Sequence, residues 1–313
     1  MKTLIKITFV LVLTIGSLTI YAQQAPMYTH YMNNTLMVNP AYAGSRDALT
    51  MTLLHRSQWV GIKGAPMTQT LTMHTPIAND HIGLGLSVCN DKIGPTNNTS
   101  LFVDFAYIMK LTAKSKLALG LSAGVNIFQA HLNTLQLDDQ NDPVFQNNIK
   151  NRTTANFGFG AYYYREHFYA GVSVPTLLQN NYSATKLPDG TIFLGKEKRH
   201  YFFITGALFN LSPNLALKPT ALVKVTEAAP VELDLTASFV IMNKFLIGAM
   251  FRSGDAFGAL VGLDITDQLH IGYSFDWSYG IKTSKYNYGS HEILLRYDFV
   301  FSSKKQIHSP RNF

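Results

Sequence analysis

Residue types able to do chemistry are plentiful in this chain, but they are poorly grouped. Its ten histidines are scattered. His55 and His74 lie early, His131 beside a polar stretch, and His270 and His291 late in the chain. A Ser–His–carboxylate site is defined by geometry rather than spacing, and no G-x-S-x-G element marks a nucleophile. Gly83-Leu84-Gly85-Leu86 is half a dinucleotide fingerprint, but no helix-like pattern follows it. Small residues on a crowded wall account for it better. Asp138-Asp139-Gln140-Asn141-Asp142-Pro143 offers calcium its oxygen ligands without the spacing of a calcium-binding loop, and reads as a solvated loop. Cys89 is the only cysteine, which excludes an intrachain disulfide and a Cys-based zinc site. These residues nominate no catalytic set, no metal and no cofactor. The chain reads as a non-enzyme.

The remaining charges have a different pattern. Glu232, Asp234, Asp264, Asp276, Glu292, Arg296, Lys218 and Lys224, with Arg252, fall at alternate positions among apolar neighbours. Such residues form a charge network only if the elements carrying them turn one face to a wet interior. The formal net charge of +7 is spread over loops and alternate positions. It forms no arginine-rich block that would track phosphates, so nucleic acid is set aside.

Those elements read as strands. Hydrophobic residues make up 47% of the chain and charged ones 14%. Beyond the N-terminus, no apolar run reaches the roughly 18–20 residues of a membrane-spanning helix. Alternation with a period of two recurs instead. Leu117, Leu119, Leu121, Ala123, Val125 and Ile127 oppose Ala118, Gly120, Ser122, Gly124 and Asn126. Val231, Leu233, Leu235, Ala237, Phe239 and Ile241 oppose Glu232, Asp234, Thr236 and Ser238. Two carboxylates on one inner face are costly in a dry core, and a hydrated lumen tolerates them. Such segments fall near 49–60, 66–77, 81–91, 99–111, 116–131, 153–165, 167–177, 200–211, 214–226, 231–242, 244–252, 255–266, 268–278 and 290–301. About fourteen antiparallel strands, an even number, predict an all-β transmembrane barrel. Every second connection is a tight turn, as at Ala113-Lys114-Ser115 and Met242-Asn243-Lys244, with longer loops at 132–152, 178–199 and 279–289 between them. Short turns are periplasmic in such barrels, which puts both ends of the mature chain in the periplasm.

The termini complete the organisation. Lys2 and Lys6 precede an uncharged stretch from Ile7 to Ala22, and the small Ala22 precedes Gln23. This is the form of a secretory signal peptide over 1–22. Residues 23–46 are an N-terminal periplasmic or plug segment, 47–302 the outer-membrane barrel, and 303–313 a basic periplasmic tail.

Several stretches are more specific than a generic barrel. Gln24-Ala25-Pro26-Met27-Tyr28-Thr29-His30-Tyr31-Met32 leads into Val38-Asn39-Pro40-Ala41-Tyr42-Ala43-Gly44-Ser45. Arg56-Ser57-Gln58-Trp59-Val60-Gly61, Gly64-Ala65-Pro66-Met67-Thr68 and Asn90-Asp91-Lys92-Ile93-Gly94-Pro95 follow, then Asp142-Pro143-Val144-Phe145. Later come Tyr273-Ser274-Phe275-Asp276-Trp277, Gly289-Ser290-His291-Glu292-Ile293 and Ser309-Pro310-Arg311-Asn312-Phe313. Together they resemble the PorP/SprF family of type IX secretion and gliding-motility membrane proteins. Asn312 departs from the family's ending, where an aromatic residue is usual.

The resemblance implies an outer-membrane barrel that binds a secreted, adhesin-like surface protein, or its C-terminal domain, for export or surface attachment. The alternatives are a core subunit docking the periplasmic ring of the type IX machinery and a passive outer-membrane porin. Partners are then proteins and outer-membrane lipids. Aromatics flanked by polar groups make good protein anchors. Tyr28, Tyr31, Asn39, Pro40, Tyr42, Arg56, Gln58 and Trp59 are the candidate contacts.

Overall fold

A computed structural model describes residues 25–78, 80–135, 148–187, 190–227, 229–279 and 285–300. The stretch 1–22 expected to be a signal peptide, the 138–143 stretch and the expected C-terminal tail lie outside the described residues. The first strands are β1 (Leu49–Ser57), β2 (Met67–Ile77), β3 (Ile82–Ile93), β4 (Thr96–Thr112), β5 (Ser115–Ala130), β6 (Ile149–Arg165) and β7 (Phe168–Val174). A separate hairpin follows, β8 (Asn181–Leu187) with β9 (Gly190–Lys196). The rest are β10 (His200–Ala207), β11 (Phe209–Ser212), β12 (Leu215–Thr226), β13 (Glu232–Ile241) and β14 (Phe245–Arg252). Then come β15 (Ala256–Asp264), β16 (Leu269–Ser278) and β17 (Ser290–Phe299).

Each barrel strand pairs antiparallel with its neighbours, and β1 pairs with β17, so the sheet has no free edge. β10 and β11 both pair with β12 and are parted only by Leu208. Counted as one interrupted stave, they make this a closed barrel of fourteen strands. No helix among the described residues is long and apolar enough to cross a membrane, and strands do the crossing here.

The alternation read from the sequence decides which face is which. Val103, Leu121, Phe157, Val172, Ile247, Phe257 and Ile293 are each about half exposed on the outside. Their neighbours Asp104, Ser122, Asn156, Ser173, Met250, Leu260, Glu292 and Leu294 are buried inside. The protein is apolar outward and largely polar inward, as a lipid-embedded barrel must be.

Two connections differ from the sequence reading. The 178–199 stretch carries the β8–β9 hairpin. On the same side Gly94-Pro95 alone joins β3 to β4, shorter than the 92–98 gap expected, while Ser253-Gly254-Asp255 joins β14 to β15 as tersely as the segments 244–252 and 255–266 imply. Gly94 and Gly254 sit at φ 54° and 73°, the left-handed backbone that lets a hairpin reverse in so few residues. The opposite end does consist of tight turns, including Met242-Asn243 with both φ values at 53°. These two ends are called the loop end and the turn end below.

Leu121 is 62% exposed at the middle of β5, between the outward Phe105 and Phe159. Leu121→Arg is expected to cost about 2–4 kcal/mol in the lipid-embedded barrel. Denaturant unfolding from liposomes measures this. A cost below about 0.5 kcal/mol, normal for an exposed position on a soluble protein, would place Leu121 in water.

Candidate functional site

The interior of the barrel is occupied by the chain's own start. Every residue from Tyr28 to Arg46 except Met37 is buried, yet the stretch contains only two 3-10 turns, Thr35–Met37 and Pro40–Tyr42. Its backbone therefore needs partners from the wall. One strand shows how it runs. Near the loop end of β17, Glu292 accepts hydrogen bonds from the backbone N–H of Thr29 (2.9 Å) and His30 (2.6 Å). Near the turn end of the same strand, Asp298 accepts from the Arg46 guanidinium at 2.9 Å. Six residues of strand separate the two carboxylates, roughly 20 Å. At the far end of the segment, the Ala25 N–H donates to His200 Nε2 at 3.0 Å, at the loop-end start of β10. The segment thus traverses the lumen. Ala25 and Phe299 lie at opposite ends of the barrel, which corrects the expectation that both ends of the mature chain share one side. A chain that enters β1 from the turn end can reach Ala25 only by passing up through the barrel.

The inward charges gather where the segment begins. Arg56 forms ion pairs with Asp276 at 2.7 Å and Glu292 at 3.2 Å. Thr29 stands between them: its hydroxyl donates to Asp276 (2.7 Å) and accepts from Arg56 (3.0 Å). Arg252 pairs with Asp234 at 2.9 Å, lies 3.8 Å from Asp276, and donates to the Tyr28 carbonyl at 3.2 Å. Lys224 pairs with Glu232 at 3.0 Å beside them. Arg56, Arg252, Asp276 and Glu292 are at most 1% exposed. Removing one member of such a network costs about 3–5 kcal/mol, because it strands a buried charge. A second group lies at the turn end. There Arg296, 6% exposed, and Lys218, 3% exposed, face the lumen near Arg46, and Asp264 bonds His270 at 2.7 Å.

Between the two groups the segment is held by hydrogen bonds and close packing. Tyr31 donates to Thr236 and bonds Thr220 at 3.0 Å. Asn34 donates to Thr70 and accepts from Thr72. Asn39 caps the turn at Pro40 by accepting from the Ala41 N–H and donates to the Ala161 carbonyl. Gly83, Ala106, Gly120, Gly160 and Ser173 are successive register partners across β3 to β7. They form a row of small residues on which Asn39 to Ala43 lies. A Cβ on Gly83 would overlap the Ala43 carbonyl, one on Gly120 the Ala41 backbone, and one on Gly160 the Asn39 side chain. Tyr42 packs edge-on against His74 and Tyr162.

The candidate contact residues divide accordingly. Tyr28, Tyr31, Asn39, Pro40, Tyr42, Arg56 and Gln58 are all buried. Tyr31, Asn39 and Tyr42 can meet a protein only if the segment leaves the lumen, whereas Tyr28 and Pro40 line a cavity beside it. Trp59 stays at the loop-end rim, where its N–H donates to Ser290. Sequence reasoning passed over Thr29 and His30, which the structure joins to Glu292. It also passed over the glycine row, visible only once the strand register is known. Among the described residues no three His, Cys, Asp or Glu side chains converge as metal ligands.

A closed barrel with an apolar belt and a polar, chain-filled lumen defines an outer-membrane β-barrel protein. The model of the type IX secretion system membrane protein PorP/SprF matches residues 20–297, and the chain belongs to that family. It is therefore a membrane component of a protein-secretion system, with protein partners in that system. No curated protein matches the sequence. Among solved structures, the fold is similar to the outer membrane protein Omp33 of Acinetobacter baumannii, at 11% identity and TM-score 0.46, covering 82% of this chain and 100% of that one. It is also similar to the CymD monoaromatic hydrocarbon channel, at 11% identity and TM-score 0.48, covering 85% and 92%.

Gly120→Val should dislodge the segment, since the added atoms meet backbone and not a movable side chain. In the wild type the buried Arg46, 2% exposed, should resist trypsin. In the variant, cleavage after Arg46 should become rapid while the heat-modifiable barrel persists. Equal protection in both would mean that the wall, and not the segment, gives way.

Proposed function

We propose that this protein is a plugged docking barrel of the type IX machinery, binding a secreted, adhesin-like surface protein for its export or attachment. The observation that carries this reading is the occupied lumen. A barrel filled by its own residues 28–46, locked at both ends by buried ion pairs, is poorly suited to conduct solutes and well suited to present a shaped mouth. In this reading the turn end is periplasmic, following the usual habit of such barrels, and Ala25 lies near the cell surface. Partner contact then falls to the loop end. Next to Trp59 the Tyr288 N–H donates to the Val60 carbonyl, and Tyr286 and Tyr288 are 74% and 78% exposed. Tyrosine and tryptophan dominate protein-binding hot spots. Tyr28, Tyr31, Asn39, Pro40, Tyr42, Arg56 and Gln58 serve the partner indirectly, by fixing the segment that shapes the mouth.

In a host with a type IX system, deleting the gene should remove one or a few large proteins from the cell surface and leave other type IX substrates in place. Loss of every substrate would instead make the chain a core subunit docked to the periplasmic ring. Large single-channel currents from the intact protein in planar bilayers would restore the porin reading. Orientation has its own test. An epitope placed between Gln24 and Ala25 should be stained on intact cells, and one placed after Lys244 should not; the reverse pattern would invert the topology.

A further inference from the structure

A cavity of about 250 Å³ lies between the N-terminal segment and the inner wall of β3, β4, β5 and β10. It reaches from Thr96 and Phe128 at the loop end down to Asp104 and Ser122, with Leu36, Val38 and Pro40 of the segment as its other side. Along β4, Thr96 and Asp104 are eight residues apart, so the space is elongated, on the order of 25 Å along the strand.

Its polar lining sets three carboxylates, Asp91, Asp104 and Glu197, among hydroxyl and amide groups. Asp104 is 3% exposed; from the described residues it receives one hydrogen bond, from Ser87 to Oδ2 at 3.1 Å, and none at Oδ1. Asp91, higher on the same wall, receives one from Thr68 at 2.6 Å. A carboxylate has about four lone-pair sites, so both retain capacity. Asn98, facing Asp91 across the β3–β4 ladder, has a buried Oδ1 with no partner among the described residues. Glu197 closes the opposite side, held by the amides of Asn126, Asn156 and Asn180. Burial pushes its carboxyl above the ordinary range, a direction that a bound cation would reverse. The cation on the lining is Lys198 at the rim, and it is paired outward with the exposed Glu227 at 3.3 Å. His200, also on the lining, has Nε2 occupied by the Ala25 N–H.

Buried acceptors without donors are costly, and here they line a space rather than a packed interface. The carboxylates are strung out instead of converging, so they do not suit a metal ion. Between them the lining is apolar, with Val38, Pro40, Phe102 and Phe202. We infer that this cavity is a binding site for an extended cationic chain, ammonium or guanidinium groups spaced along apolar linkers, entering from the loop end. A basic peptide segment and a linear polyamine share that chemistry. This inference goes beyond the docking role and holds whether or not a secreted protein binds the rim.

The test is calorimetric titration of the full mature protein in non-ionic detergent with spermidine and with acetyl-Lys-Gly-Lys-amide. The neutral acetyl-norleucyl-glycyl-norleucine amide is the control. At least one cationic probe should bind saturably and the neutral peptide should not. Asp104→Asn, which keeps shape while removing charge, should weaken that binding about tenfold or more. Should that variant lose its heat-modifiable mobility, Glu197→Gln at the cavity's opposite side takes its place with the same expected direction. Binding of the peptide alone identifies a protein segment as the occupant, and binding of spermidine alone a polyamine. Equal affinity for the neutral peptide, binding indifferent to the charge of Asp104 or Glu197, or no saturable cation binding would each overturn the site.

Discussion

Hydrocarbon solvates no peptide group, so a strand crossing the membrane must find every backbone partner within the protein. That single constraint forces the rest of this structure. It requires β1 to meet β17, because an open sheet would leave two unpaired edges in lipid. Closure at fourteen strands then creates a second problem, since side chains alone fill the interior only near eight strands. The chain fills the difference with its own residues 28–46, and the composition of the inner wall follows from that choice. Where the segment's backbone approaches, the wall is glycine or alanine. Where its backbone groups point outward, the wall supplies a carboxylate, a hydroxyl or an imidazole.

The buried charges make sense on the same basis. A segment with only two short 3-10 turns leaves many N–H and C=O groups without internal partners. Glu292 takes two of those N–H groups and one ring nitrogen of His30, and Arg56 balances its charge. Arg252 takes the Tyr28 carbonyl while bound to Asp234. An apolar lining of equal volume could pack as tightly and avoid the desolvation of four buried ions. It could not, however, distinguish one register of an irregular segment from the next. Directional, charge-assisted bonds at Thr29 and His30 do so, and Arg46 repeats the device at the opposite end.

The strands were legible in the sequence because a half-lipid, half-lumen environment imposes strict alternation, and no other element competes with that period. Val231 to Ile241 shows it plainly: Leu235 and Phe239 are exposed, while Asp234, Thr236 and Ser238 are buried. The β8–β9 hairpin was missed although Pro188-Asp189-Gly190 separates two strand-prone runs, an ordinary hairpin signal. The candidate site was legible only in part. Alternation placed Glu232, Asp234, Asp276, Glu292 and Arg296 on the inner face, but nothing in their spacing says what they hold. Gly120 and Gly160 lie forty residues apart and become neighbours only in the register of β5 with β6. Three-dimensional coincidence of that kind carries no local periodicity. The hint that was present, small residues on a crowded wall at Gly83 and Gly85, identified the crowding without its source.

The two ends of the segment are fixed in different ways, and the difference bears on what the mouth can do. At the turn end Arg46 is bound to Asp298 and is also three residues from β1, so a covalent tether backs the ion pair. At the loop end nothing covalent holds Tyr28 to His30. Position there depends chiefly on Glu292, Asp276, Arg56 and Arg252, beside the bonds of Ala25 to His200 and of Tyr28 to Cys89, and the four ions are shielded from water by the segment itself. Water admitted at that point weakens every pair at once, because each relies on the low dielectric that the others help to maintain. The glycine row below it remains shielded by Asn39 to Ala43, which lie deeper in the barrel. Contacts at the loop end therefore bear first on the part of the segment held mainly by charge, and last on the part held by backbone packing against Gly83, Gly120 and Gly160. The shape of the mouth and the seal of the lumen are thus secured by different interactions in one continuous stretch of chain.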